Sequence, residues 1–212
     1  MGIFDWFRRP PPIADGSALI DYLDTRAAYL IQRGIFEFAH ACTGLAFNKL
    51  MQDAAFVEAI DKSRWASYPL GLSTVSEMIH GVLRTEANGA MPLAEALQGA
   101  AFEAFDRYPV PVLLGAEAWA TERADLGQRV IGIALHPPKA VKDIPLAVVP
   151  KFSERLPIHE QIRGDDQEII TNHLRMILIR LYDDFVQRAD TAALVAELGV
   201  ARAVGGTKAA RG

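Results

Sequence analysis

The chain has 212 residues, half of them hydrophobic and 23% charged, with a formal net charge of −4. That length suits one domain with a sizeable core, and the scattered Lys and Arg of a net acidic chain offer no footprint for a phosphate backbone, which excludes nucleic acid as an expected partner. The single Cys42 rules out an internal disulfide, and its apolar flanks in EFAHACTGLAF favour a thiol packed as a small hydrophobe, in keeping with a reducing cytoplasm.

The opening MGIFDWFRRPPPI lacks the apolar core of a signal peptide, and no apolar run approaches the roughly 18 residues that span a bilayer. Ile3, Phe4, Trp6 and Phe7 precede Pro10, Pro11 and Pro12, with Arg8 and Arg9 between. Residues 1–14 therefore read as a tethered apolar segment with a proline linker. Its expected destinations are the domain itself, a groove on a partner protein, or a membrane interface that it binds weakly with the arginines at the headgroups.

Residues 15–198 read as a helical domain. A first helix is expected over 17–52, capped by Asp15 or Ser17, with Leu19, Leu23, Leu30 and Phe38 on one side and Tyr29, Phe36, Phe47 and Leu50 nearly opposite. Asp53 caps a second helix over 53–65, and SYPLGLSTVSEMIHGVLR supplies a third with Leu72, Val75, Ile79, Val82 and Leu83 on one face. ANGAMP breaks the chain before a fourth helix that ends near 107, with Leu93, Leu97, Ala101 and Ala104 as its inner stripe. Trp119, Leu126, Val130 and Ile133 give a fifth over 115–134, although RVIGIAL taken alone also suits a strand. Prolines at 137, 138, 145, 150 and 157 exclude a long helix, so 137–164 reads as an extended proline-rich arm across the surface. Final helices are expected over 166–188 and 191–198, followed by a flexible tail over 199–212. The expected fold is all-α: a single domain of five to seven helices around a long N-terminal helix.

The richest cluster of polar side chains is RLPIHEQIRGDDQEIITNHLRM, residues 155–176. Asp165 as N-cap puts Glu168 in a capping box and Asp166 where it complements the helix dipole, and His173 falls at the edge of the apolar face. His159 and Glu160 miss the zincin pattern because position 163 is Arg163. Two Glu-x-x-His pairs, Glu37 with His40 and Glu77 with His80, have the spacing of di-metal helical bundles. Against a metal role, Glu77 and His80 project opposite Leu72, Val75 and Ile79, onto what reads as a polar face, and Arg33 supplies Glu37 with an ordinary ion pair. Cys42 lacks the basic neighbour a nucleophile needs, and no phosphate-binding or hydrolase motif is present. Arg64, Trp65 and Tyr68 form a corner suited to packing or to an aromatic or anionic partner. The leading expectation is a non-enzymatic interaction or assembly protein of the cytoplasm, peripheral to a membrane if the N-terminal segment docks there, with an unknown protein partner and no cofactor. The alternative is a helical metal-dependent enzyme using Glu37, His40, Glu77 and His80.

Overall fold

A computed structural model describes residues 11–158 and 167–202, and helices make up 78% of them. The Asp15 carboxylate accepts the Ala18 N–H at 2.8 Å and starts α1, Gly16–Thr43, whose inward stripe of Leu19, Leu23, Ala27, Leu30, Ile31 and Phe38 is buried. This helix ends well before residue 52. Gly44 takes φ 52°, a value open to glycine, and returns its N–H to the His40 carbonyl. A 3₁₀ turn over Gly44–Ala46 and the one-turn α2, Phe47–Leu50, then reverse the chain. Phe47 meets Phe36 and Phe56 edge-on, so residues that looked like the second face of one long helix instead fill a corner.

Asp53 caps α3 by accepting from Ala55 and Phe56, and the helix runs over Ala54–Leu83 without a break. The two helices expected on either side of SYP are therefore one, with Pro69 inside it. A proline in a helix interior costs about 3 kcal/mol. Burial outweighs that cost: Tyr68, Leu70, Leu72, Val75, Met78 and Ile79 are at most 4% exposed, and burying one large apolar side chain contributes roughly 1.5–3 kcal/mol. Arg155 also donates to the Ala66 carbonyl, beside the turn that the proline opens. From Ser67 to His80 every residue except Glu77 is buried. The helix thus has no polar face there, and His80, expected to point outward, is 1% exposed. Gly71 lets α3 approach α1 closely, since a Cβ at that position would stand 2.7 Å from the Ala27 carbonyl oxygen.

Helices α4, Ala90–Asp106, and α5, Ala116–Gly132, pack beside this pair, joined by Phe105 stacked on Trp119 at 4.0 Å. RVIGIAL is helical, ending in a 3₁₀ turn over Ile133–Leu135, because burial of Val130 and Ile133 follows helical spacing. The described part of the expected extended arm, 137–158, is wound in good part as well, into a 3₁₀ helix over Val141–Ala147 and α6 over Val149–Glu154, while 159–164 lie outside the described residues. Pro150 sits in the first turn of α6, where its missing N–H is not needed, and Ile144, Val149 and Phe152 anchor the segment in the core. Helices α7, Gln167–Arg188, and α8, Thr191–Glu197, complete eight α-helices among the described residues. Near both ends of the described residues the backbone is held by hydrogen bonds: the Ile13 N–H donates to the Arg188 carbonyl at 2.9 Å, and the Asn88 N–H to the Val200 carbonyl at 2.7 Å. Val200, just after α8, is buried as well. The apolar segment of Ile3, Phe4, Trp6, Phe7, Arg8 and Arg9, the cap at Asp165 and the stretch 203–212 lie outside the described residues.

Candidate functional site

The Arg64–Trp65–Tyr68 corner is brought together, in mid-helix rather than at a helix junction. Trp65 contacts the rings of Tyr68, Tyr108 and Trp119 at 6.5, 5.3 and 6.1 Å. Behind them Asp24, on α1 and 8% exposed, accepts from the Tyr68 hydroxyl at 2.8 Å and the Tyr108 hydroxyl at 2.9 Å, with the Arg107 guanidinium 3.3 Å away. Burial, and then the Asp24 charge, push the Tyr68 phenol far above its ordinary value, so it stays a donor. Trp65, Tyr68 and Tyr108, with Ile31 and Gln32 from α1, border an open cavity of about 230 Å³. The aromatic contacts and the Asp24 hub account for these side chains as packing, with one apolar recess left at the surface.

A second cavity of about 230 Å³ lies between α3, α5 and the 133–151 segment, and it is lined by charge. Glu77 faces it from α3 and is held by Lys139 at 2.8 Å, with His136 Nε2 at 3.6 Å. Lys151 pairs with Asp125 at 2.7 Å, and Arg155 binds Glu122. Arg129 stands apart: its closest carboxylate, Asp125, is 3.8 Å away, and burial pulls the guanidinium below the ordinary arginine range.

The third feature is the outer face of α7. Ile169, Met176, Ile179 and Val186 are 42%, 55%, 37% and 48% exposed, at spacings of seven, three and seven. Ile179 and Val186 also border a groove of about 660 Å³ whose other wall holds Val82, Pro138 and Val141.

The proposed metal ligands are not gathered into a site. Glu37 pairs with Arg33 at 2.6 Å, and His40 is exposed with its ring 5.4 Å from that of Phe47. His80 Nε2 lies 3.0 Å from the Ala90 carbonyl, at the entry to α4. Burial lowers the His80 pKa, which keeps the ring neutral and makes Nε2–H the donor in that bond. Among the described residues no group of three or more His, Cys, Asp or Glu is placed to hold a metal ion. Cys42 is partly buried against the core. Sequence reasoning missed Asp24, Tyr108 and the cluster around Arg129, because each is assembled from segments far apart in the chain. The stripe on α7 was missed too, although a signal for it exists in the sequence: its seven-three-seven apolar spacing runs beside the inward face of Ile170, Leu174, Ile177, Leu178, Leu181 and Phe185. No helix of the described residues is long and apolar enough to cross a membrane. No protein-family model, curated protein or solved structure matches the chain.

Proposed function

We propose that this chain is a non-enzymatic helical assembly protein of the cytoplasm, and that its docking surface is the outer face of α7 with a second copy of the chain as occupant. The observation that carries this reading is the exposed apolar stripe of Ile169, Met176, Ile179 and Val186 on a helix whose opposite face is already buried. The stripe is self-complementary. Laying α7 antiparallel on a copy of itself, about a two-fold axis between Ile177 and Leu178, sets Ile169 opposite Val186 and Met176 opposite Ile179. It also sets Asn172 opposite Asp183. The Asn172 Oδ1 accepts from Arg175 at 2.9 Å, which leaves the amide N–H groups free to meet that carboxylate and fix the register. On the sequence grounds given above, the apolar N-terminal segment is a second contact, with an anionic membrane surface.

One helix pair buries less than the roughly 1,200 Å² of a standard interface, so the dimer is weak. Sedimentation velocity of the full chain at about 10 and 100 µM tests the reading, in the concentration range where weak interfaces dissociate. The expected result is a rise toward twice the chain mass at the higher concentration, lost in the double variant Met176→Asp/Ile179→Asp, which keeps the wild-type melting temperature. A wild-type chain that stays monomeric, or a variant that associates equally well, rejects it.

A further inference from the structure

The groove between α7, the end of α3 and the 138–144 segment is the apolar cleft nearest the point where the N-terminal segment joins the domain. We propose that it holds residues 3–9 of the same chain, with Ile3, Phe4, Trp6 and Phe7 in the cleft and Arg8 and Arg9 at Asp183, and that the docked segment keeps a second copy off Ile179 and Val186. The docking stands on its own observations; the competition rests on the α7 pairing proposed above.

The point of entry favours this occupant. The Pro11 carbonyl accepts from Arg188 Nε at 3.0 Å, at the C-terminal end of α7. Ile13 is bridged to Ala189 in the parallel sense, so the chain upstream of Pro11 leads back along α7 and not away from it. Val186, on the groove wall, lies just before Arg188 in the same helix. The length also suffices. From Arg188 back to Ile179 the helix rises about 13.5 Å, and passing half-way round a helix about 11 Å across adds roughly 17 Å, a surface path of about 22 Å. The chain from Pro11 to Ile3 extends to about 26 Å, so Ile3 and Phe4 reach the Ile179 end while Trp6 and Phe7 fall nearer Val186.

Charge and polarity match in sequence order. Val82, Pro138, Val141, Ile144, Ile179 and Val186 make the walls apolar, and two charged side chains line them. Lys139 is held by Glu77 at 2.8 Å, whereas Asp183 is exposed and makes no ion pair with a described residue. Arg8 and Arg9 stand between the prolines and the apolar cluster, so a chain leading back from Pro11 brings them to α7 before the aromatic side chains enter the cleft. Each aromatic ring has about 150–250 Å² to bury, which supplies the driving force. The tether decides between occupants. A short linker holds its segment at an effective concentration in the millimolar range, about ten-fold or more above a second copy at 10–100 µM. The same residues cannot meet a membrane while docked, so membrane contact and α7 pairing both begin with their release.

Labelling by N-ethylmaleimide of Ala140→Cys, an exposed position on the groove, tests the docking in the full-length Cys42→Ala chain at about 1 µM, where weakly paired copies stay apart. A groove covered about four-fifths of the time reacts about five-fold more slowly than an open one. Adding Phe4→Asp/Trp6→Asp is therefore expected to speed labelling at least five-fold in a chain of wild-type ellipticity. Glu103→Cys, exposed on α4 and outside the groove, is expected to change less than two-fold. Asp183→Lys is expected to speed labelling of Ala140→Cys as well, and Arg8→Asp/Arg9→Asp added to it to slow labelling again. An unchanged rate at Ala140→Cys, or an equal acceleration at Glu103→Cys, overturns the docking. In sedimentation velocity Phe4→Asp/Trp6→Asp alone is expected to tighten self-association at least five-fold; weaker association places the segment between copies and overturns the competition. Faster labelling in a chain that never associates upholds the docking and rejects the α7 pairing.

Discussion

At Asp24 three donors converge on one buried carboxylate: the hydroxyls of Tyr68 and Tyr108, and the Arg107 guanidinium. Removing the acceptor strands two phenols and leaves the arginine only Asp21, at 2.7 Å, on an exposed side chain. Asp24→Ala is expected to cost about 3–5 kcal/mol in urea denaturation, the range for breaking a buried charged network, and Tyr68→Phe about 1.5 kcal/mol. A loss under about 1 kcal/mol for Asp24→Ala contradicts the network, since water would then be replacing the carboxylate. His80 sets a pH dependence. Burial lowers its pKa, while the Ala90 carbonyl acts in the opposite direction, so the folded chain takes up the proton less readily than the unfolded chain does. Below the ordinary histidine value, about 6.5, the unfolded state gains a proton that the folded state refuses, and stability falls as pH falls through that window. His80→Gln retains a donor for Ala90 and is expected to flatten the slope of stability between pH 7 and 5.5; an equal slope in the variant assigns it to other groups. The spacing of Glu77 and His80 was legible in the sequence, but their direction was not. Reading one apolar face implies a polar back, whereas over Ser67–His80 every residue of α3 but Glu77 is buried, and only tertiary packing reveals that.

Among the elements, the pair α1 and α3 depends on one missing side chain. A Cβ on Gly71 would stand 2.7 Å from the Ala27 carbonyl and 2.8 Å from Ile31 Cγ1, while one on Gly99, in α4, meets nothing within 4 Å. Both substitutions to alanine remove the same helix penalty of about 1 kcal/mol. Gly99→Ala is therefore expected to raise stability by up to that amount, and Gly71→Ala to lower it by about 1–3 kcal/mol, as for other overpacked sites. Equal effects of the two in thermal denaturation count against the close α1–α3 contact. The same pair shows which boundaries a sequence exposes. Asp15, Asp53 and Asp190 cap where side-chain chemistry says they should, since a cap is a local hydrogen bond. Pro69 and the prolines of 137–157 misled, because a proline's local penalty is smaller than the burial of the helix that contains it, or vanishes in a first turn. Gly44 left the matter open: glycine permits a helix as well as a reversal, and the aromatic corner of Phe36, Phe47 and Phe56 decides between them.

Among the described residues one contiguous core is buried, and a single helix, α7, carries large apolar side chains in a regular outward row. The all-α class and the long first helix followed from periodicity, which is a property of the chain; the charged cavity did not, because Glu77, Arg129, His136 and Lys151 belong to four separate segments. The antiparallel α7 pairing makes a distance prediction. It sets Gln187 of one copy opposite Glu168 of the other, so the two Gln187 positions are separated by nineteen residues of helix rise and one interhelix spacing, about 30 Å in all. Pulsed electron paramagnetic resonance on Gln187→Cys in a Cys42→Ala background, spin-labelled and held at about 100 µM, measures that distance. The account predicts a population near 30 Å that disappears when Met176→Asp and Ile179→Asp are added; the absence of dipolar coupling, or a distance under about 20 Å, contradicts it.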